Sequence, residues 1–257
     1  MRSVMRRGLG VFLFLLCLSS GASAPAQSVA DGYTPVTDAM LLDPPPGDWP
    51  MWRRTYGHWG HSPLDQIDTS NVGGLRLAWA WTMAEGRQET TPLVHGGMMF
   101  LVQPCDFVEA LDVRDGTRIW EYRRERVDHA ANLACVNRNG ALYGDKLYIA
   151  THDAHLVALD ARTGEVAWDV PVGDWTIGQH YSGGPMIIKG RVVAGMSGCY
   201  HLNTRCWVSA HDAETRRGVA HLHHSRPRRV RLRELGGRAR RGPAGARRGT
   251  RRASTPG

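Results

Sequence analysis

Three stretches written to one pattern constrain this chain most. Residues 111–120 read LDVRDGTRIW, residues 159–168 read LDARTGEVAW, and residues 211–220 begin the unit again as HDAETRRGVA. The aspartates Asp112, Asp160 and Asp212 stand 48 and 52 residues apart, a period that suits one four-stranded propeller blade per repeat. Within the unit, Asp-x-x-Asp/Thr-Gly describes a tight reversal. Its carboxylate can accept from turn amides, and Gly116 or Gly164 can take a positive φ without steric cost. The strand that follows carries Trp120 or Trp168, an indole large enough to fill the wedge between neighbouring radial sheets.

The surrounding sequence agrees. Between Trp49 and Ala213 no long helical periodicity occurs. Short β-type runs at 75–81, 98–102, 146–151, 156–159, 186–188 and 191–194 alternate with Gly, Asp and Asn turns. An all-β fold is expected, a partial β-propeller of three to four blades over residues 48–215. The repeat by itself indicates blades and no particular function, because propellers host many.

Both ends depart from that pattern. Arg2, Arg6 and Arg7 precede an apolar run at 9–18 and small residues at 21–26, the layout of a cleaved signal peptide over residues 1–26. The apolar run is well short of the roughly 20 residues a spanning helix needs. Export to a bacterial periplasm is therefore expected, with no stable membrane span. Residues 27–47, with Pro44, Pro45 and Pro46, are expected to form an extended or poorly ordered lead.

The mature chain would keep Cys105, Cys135, Cys199 and Cys206, an even number suited to an oxidising compartment. Two disulfides are allowed: Cys199 with Cys206 would close a small loop, whereas Cys105 with Cys135 would link separate strands. Four buried thiols are the alternative, and no Cys/His spacing suggests zinc.

The overall charge of +8 is misleading until it is located. Residues 216–257 hold 14 Arg, no Lys and one Glu, a net +13, which leaves −5 for residues 1–215. The third repeat runs correctly through HDAET and then has Arg216 where glycine belongs. From there Arg, Gly, Ala and Pro make up 29 of 42 residues, with no aromatic and no β-type run. Such a segment reads like a GC-rich gene out of frame, so a frameshift after about Thr215 and a disordered basic tail are expected. A purposeful tail for phosphate backbones is the rival, but the exported character and the absence of aromatic interleaving argue against nucleic acid.

Residues 48–81, DWPMWRRTYGHWGHSPLDQIDTSNVGGLRLAWAW, followed by ETTPLVHGGMMFL and VNRNGALYGDKLYIATHDAHLVALDARTGEVAW, resemble pyrroloquinoline quinone (PQQ) dependent alcohol dehydrogenases. The resemblance spans about residues 48–215 and rests on the ordered combination of motifs. It implies an eight-bladed, tryptophan-docked quinoprotein propeller that binds PQQ and Ca²⁺ on its axis and passes hydride from an alcohol to the quinone. It also implies an electron acceptor such as a cytochrome c, and a catalytic aspartate in later blades beyond this chain, so that the chain by itself is expected to be inactive.

By the same resemblance, Glu89 lies by the quinone and Arg138 pairs with it. A guanidinium suits a tricarboxylate, since it forks onto carboxylate in a bidentate way that lysine cannot. Ser182 matches a hydroxyl that hydrogen-bonds the cofactor, and Ser197, Gly198 and Cys199 match a stretch that approaches it closely. Two positions depart from the pattern. Asn132 and Leu133 stand where many relatives have adjacent cysteines, and Tyr200 and His201 stand where a calcium-ligand glutamate is expected, a poor substitute for a cation that prefers hard oxygen donors. A non-catalytic propeller scaffold of the outer-membrane assembly type shares the repeat and is the alternative reading.

Overall fold

The computed structural model describes residues 28–125, 135–198 and 206–223. Their twelve strands form three four-stranded antiparallel sheets, each ordered as the chain runs. The first blade holds β1 (Leu93–His95), β2 (Met98–Gln103), β3 (Phe107–Asp112) and β4 (Arg118–Arg123). The second holds β5 (Ala141–Tyr143), β6 (Lys146–Ala150), β7 (His155–Asp160) and β8 (Val166–Pro171). The third holds β9 (Met186–Ile188), β10 (Arg191–Gly195), β11 (Trp207–Asp212) and β12 (Gly218–His223).

Each repeat unit is the turn between a blade's third and fourth strands. Asp160 Oδ1 accepts from the amides of Arg162 and Thr163 at 2.9 and 3.1 Å, and Asp212 Oδ1 accepts from Glu214 and Thr215 at 3.2 and 2.9 Å. Beside Asp112, the Arg114 side chain holds the carboxyl below the ordinary carboxylate range. Past the turn the register slips by one residue at matching places, after Ala110, Ala158 and Ala210. This bulge sets the orientation of the next strand's aromatic.

The indoles join the blades. Trp120, on the outer strand of the first blade, donates from Nε1 to Ala161 O at 2.9 Å in the second, and Trp168 donates to Ala213 O at 3.0 Å in the third. Gly164 lies under the Trp120 ring, where an added Cβ would stand 2.6 Å from Cε3. The backbone there has φ +76°, so glycine is required by both space and conformation. On their own sheets the indoles pack against Phe100 and Tyr148, with ring centroids 6.0 and 5.6 Å apart. Burying an indole of about 200 Å² contributes at most about 5 kcal/mol at ~25 cal/mol/Å².

Three features differ from the sequence reading. The lead is packed, not loose: Val36 bridges to Gly144, a short α-helix α1 (Asp38–Leu42) is capped by Thr37, and Leu41 is fully buried. The proline run lies after this helix, so it does not prevent the packing. Residues 75–81, expected as a strand, have no ladder partner among the described residues, although Trp79 Nε1 donates to Val113 O at 3.0 Å. The segment beyond Thr215, expected to lack a β run, supplies β12, which pairs with β11 through His223. Backbone pairing tolerates most side chains there, but Arg216 is forced to φ +58° at the glycine position and Ala220 stands where Trp120 and Trp168 stand. Residues 1–27 and 224–257, with the signal peptide and most of the basic tail, lie outside the described residues.

Candidate cofactor site

The site grows from the segment that enters the second blade. Cys135 is disulfide-bonded to Cys105 of the first blade, the strand-linking option of the two sequence possibilities. Cys206 is also disulfide-bonded. Next to the Cys105–Cys135 link, Asp106 receives a 2.7 Å hydrogen bond from Asn137 Nδ2 and another of 2.9 Å from the His152 amide. The Val136 amide donates to His152 Nε2 at 2.9 Å, which leaves the ring proton on Nδ1, facing Asp106 Oδ1 at 3.3 Å. Asp106, Asn137 and His152 are all buried. A buried carboxylate with every neighbour satisfied rigidifies the segment it holds.

That rigid segment delivers Arg138. Its Nη2 lies 2.8 Å from Glu89 Oε2, and its Nη1 donates to Ser182 O at 2.7 Å. The backbone is tied in as well, since the Thr91 amide donates to Arg138 O at 2.9 Å. Glu89 is also paired with Arg87 at 2.6 Å. Ser182 Oγ stands 3.3 Å from Ser197 Oγ, and Ser197 and His180 exchange backbone hydrogen bonds. His180 stacks on His152 with ring centroids 6.3 Å apart, which links the third blade's strand ends to the buried network. Burial pushes the neighbouring Tyr181 hydroxyl up to about 12, so it stays protonated at neutral pH.

Glycines bring the backbone close at this place. A Cβ on Gly184 would fall 1.9 Å from Asn139 O, and one on Gly198, at φ +82°, would fall 1.9 Å from Gly178 O. Glu89, Arg138, Ser182, Ser197 and Gly198 therefore converge from three blades. Cys199, with Tyr200 and His201, lies outside the described residues. Sequence reasoning missed Asp106, Asn137, His152 and His180. Their one local signal was position: Asp106 follows a cysteine and Asn137 precedes the arginine.

The cluster suits an acidic planar ligand. The Arg138 side chain is 46% exposed, and its five N–H donors exceed the two contacts named. Among the described residues, no group of three His, Cys, Asp or Glu side chains could hold a metal ion.

Residues 49–215 match the family described as PQQ: glucose/ethanol/alcohol dehydrogenase, β-propeller domain. The chain is similar to quinohemoprotein alcohol dehydrogenase ADH IIB of Pseudomonas putida, 36% identical over 82% of this chain and 30% of that protein. It is 37% identical to the dehydrogenase subunit of the quinone alcohol dehydrogenase of Gluconacetobacter polyoxogenes, over 83% of this chain and 30% of that subunit. Among solved structures, quinohemoprotein alcohol dehydrogenase ADHIIG of Pseudomonas putida superposes with a TM-score of 0.69 at 36% identity, over 74% of this chain and 29% of that one. The chain thus spans about 30% of the length of its curated relatives. With blade geometry, docked indoles and a match over residues 49–215 in agreement, the chain belongs to the PQQ alcohol dehydrogenase β-propeller family.

Proposed function

We propose that this chain forms the first blades of a periplasmic PQQ-dependent alcohol dehydrogenase, and that Glu89, Arg138, Ser182, Ser197 and Gly198 line the quinone's binding place. The observation that carries this reading is the convergence of those five residues on one guanidinium-centred cluster from three separate blades. When bound, PQQ would supply a quinone that accepts hydride from the alcohol.

The chain's own residues bind and orient. Arg138 offers charge-assisted hydrogen bonds to carboxylate. Asp106 and the Cys105–Cys135 link keep the arginine from swinging away. Glu89 holds the guanidinium at a fixed angle and keeps acidic groups of a ligand off its own side. Export follows from the signal-like N-terminus, and an alcohol and an acceptor such as cytochrome c are the proposed partners. The proposal includes a frameshift near Thr215, supported by the end of the family match at that residue and by Arg216 at a glycine position.

The test is PQQ binding by the product of the frame-corrected gene. Quenching of tryptophan fluorescence by PQQ is expected, with affinity lowered at least about tenfold by Arg138→Ala, equivalent to about 1.4 kcal/mol. No quenching, or quenching indifferent to Arg138→Ala, overturns the proposal and favours the scaffold reading.

A further inference from the structure

Two successive residues of the first blade hold a left-handed backbone that side chains disfavour. Cys105 has φ +62° and Asp106 φ +59°, in the short turn Pro104–Asp106 that joins β2 to β3. Non-glycine residues persist in such a conformation where their surroundings over-determine the backbone. Here those surroundings come from the segment ahead of the second blade. Cys135 ties Cys105 covalently, and Asp106 and Asn137 exchange two hydrogen bonds: the Asp106 amide donates to Asn137 Oδ1 at 3.1 Å, and Asn137 Nδ2 donates to Asp106 Oδ1 at 2.7 Å. The residue after Asn137 is Arg138.

The covalent tie and the hydrogen-bonded one differ in what can open them. Asp106 and Asn137 are buried, whereas Cys105 and Cys135 are half-buried, which leaves their bond within reach of a small dithiol. The bond is this chain's own, since Asn132 and Leu133 take the place of the adjacent cysteines of many relatives.

We propose that the Cys105–Cys135 bond is a redox gate on the Arg138 site: closed, it presents the guanidinium to an anionic ligand, and opened by a dithiol it lets the arginine turn away. In the opening step a thiolate of the dithiol attacks one sulfur, the Cys105–Cys135 bond breaks and a mixed disulfide forms. The second thiol of the reductant then displaces the protein sulfur. Two electrons and two protons pass to the protein, which keeps two thiols, and the reductant leaves as a disulfide. Freed of its link, the turn returns Cys105 and Asp106 to negative φ and carries the carboxylate away from Asn137 and the His152 amide. The Arg138 side chain then keeps only its half-exposed contacts with Glu89 and Ser182, which fix it weakly. The identity of the ligand rests on the cofactor reading, and the gate on the geometry of the turn.

The test compares the 257-residue chain oxidised, reduced with dithiothreitol and reoxidised. Hα–Cα couplings, which separate positive from negative φ, report the turn at Cys105 and Asp106, and the Nε–Hε resonance reports the Arg138 guanidinium. Reduction is expected to return both turn residues to negative φ and to move the Arg138 resonance toward that of unpaired arginines, and reoxidation to restore both. Dithiothreitol also opens the Cys206 bond, so Cys105→Ser/Cys135→Ser, which keeps that bond, is expected to show the reduced signals without reductant. Should circular dichroism show that this variant does not fold, Cys206→Ser, which lacks the other bond in both states, isolates the same effect. In the frame-corrected product, PQQ affinity is expected to fall at least about fivefold on reduction. An Arg138 resonance indifferent to reduction, with or without relaxation of the turn, overturns the gate, as does an unchanged affinity in a product that binds PQQ. Absence of PQQ binding in both states overturns the cofactor reading instead, and the resonances then decide the gate.

Discussion

Arg138 and Glu89 meet at 2.8 Å across 49 positions of sequence, yet most of what fixes their meeting lies beneath them. The pair is half-exposed, so its electrostatic contribution to stability is small, about 0–1 kcal/mol. Glu89→Gln is expected to leave the thermal midpoint within a few degrees, as read by circular dichroism. Asp106→Ala strands the His152 and Asn137 donors in a buried place and is expected to cost about 2–4 kcal/mol. Equal losses for the two variants would mean that the buried network does not support the site.

Glycine at the docking turn can be tested in both directions. Gly164→Ala sets a Cβ against the Trp120 ring at positive φ and is expected to destabilise by about 2–4 kcal/mol. Arg216→Gly relieves a non-glycine residue at φ +58° and is expected to stabilise the third blade by about 1 kcal/mol. Hydrogen exchange of the β11 and β12 amides reads the second effect locally.

Acid should loosen the contact between the first two blades. Burial opposes ionisation of Asp153, but hydrogen bonds from Arg124 and Thr151 outweigh it and hold the pKa below the ordinary 3.8. A depressed carboxyl contributes stability above its unfolded pKa and loses it as pH falls through the folded one. Stability is therefore expected to decline below about pH 4. In Asp153→Asn that part of the decline should be absent from urea titrations at pH 7 and pH 3.

Removing the Cys105–Cys135 bond, whose ends are separated by 30 positions of sequence, is expected to cost about 3–4 kcal/mol through loop entropy. Cys135→Ser, compared with the unaltered chain when both are reduced so that the Cys206 bond is open in each, checks this. Two variants of equal stability indicate loss of the bond; a much weaker serine variant indicates lost packing of the sulfur.

The gene offers a separate check. A one-base correction near the Thr215 codon is expected to yield Gly-Glu, then an aromatic within a few residues, then more blades. Translation of the two alternative frames reads this directly, and absence of a propeller repeat in both returns weight to a purposeful tail.

What the sequence revealed and what it hid divide along a physical line. Turn chemistry is local, so Asp160, Gly164 and Trp168 were legible as one unit, and the strands around them followed from period-two runs. The site residues were visible only through motif resemblance, because Glu89, Arg138 and Ser182 meet through the blades' arrangement and not through any short spacing. Asp106 was hidden for the same reason: its partners lie 31 and 46 residues away. The lead was misread because three prolines outweighed Val36 and Leu41, two apolar side chains that find a groove only once β5 and β6 exist.

Each indole reaches forward, never back: the acceptors lie 34, 41 and 45 residues further along the chain. Assembly therefore has a direction. As the polypeptide emerges N-terminus first, Trp79 and then the Trp120 and Trp168 rings of the first two sheets each wait unclasped until the turn that receives them is made, and each arrival locks the unit before it. The newest sheet is always the loosest, so an interruption leaves its damage at the growing end, with the earlier units already clasped.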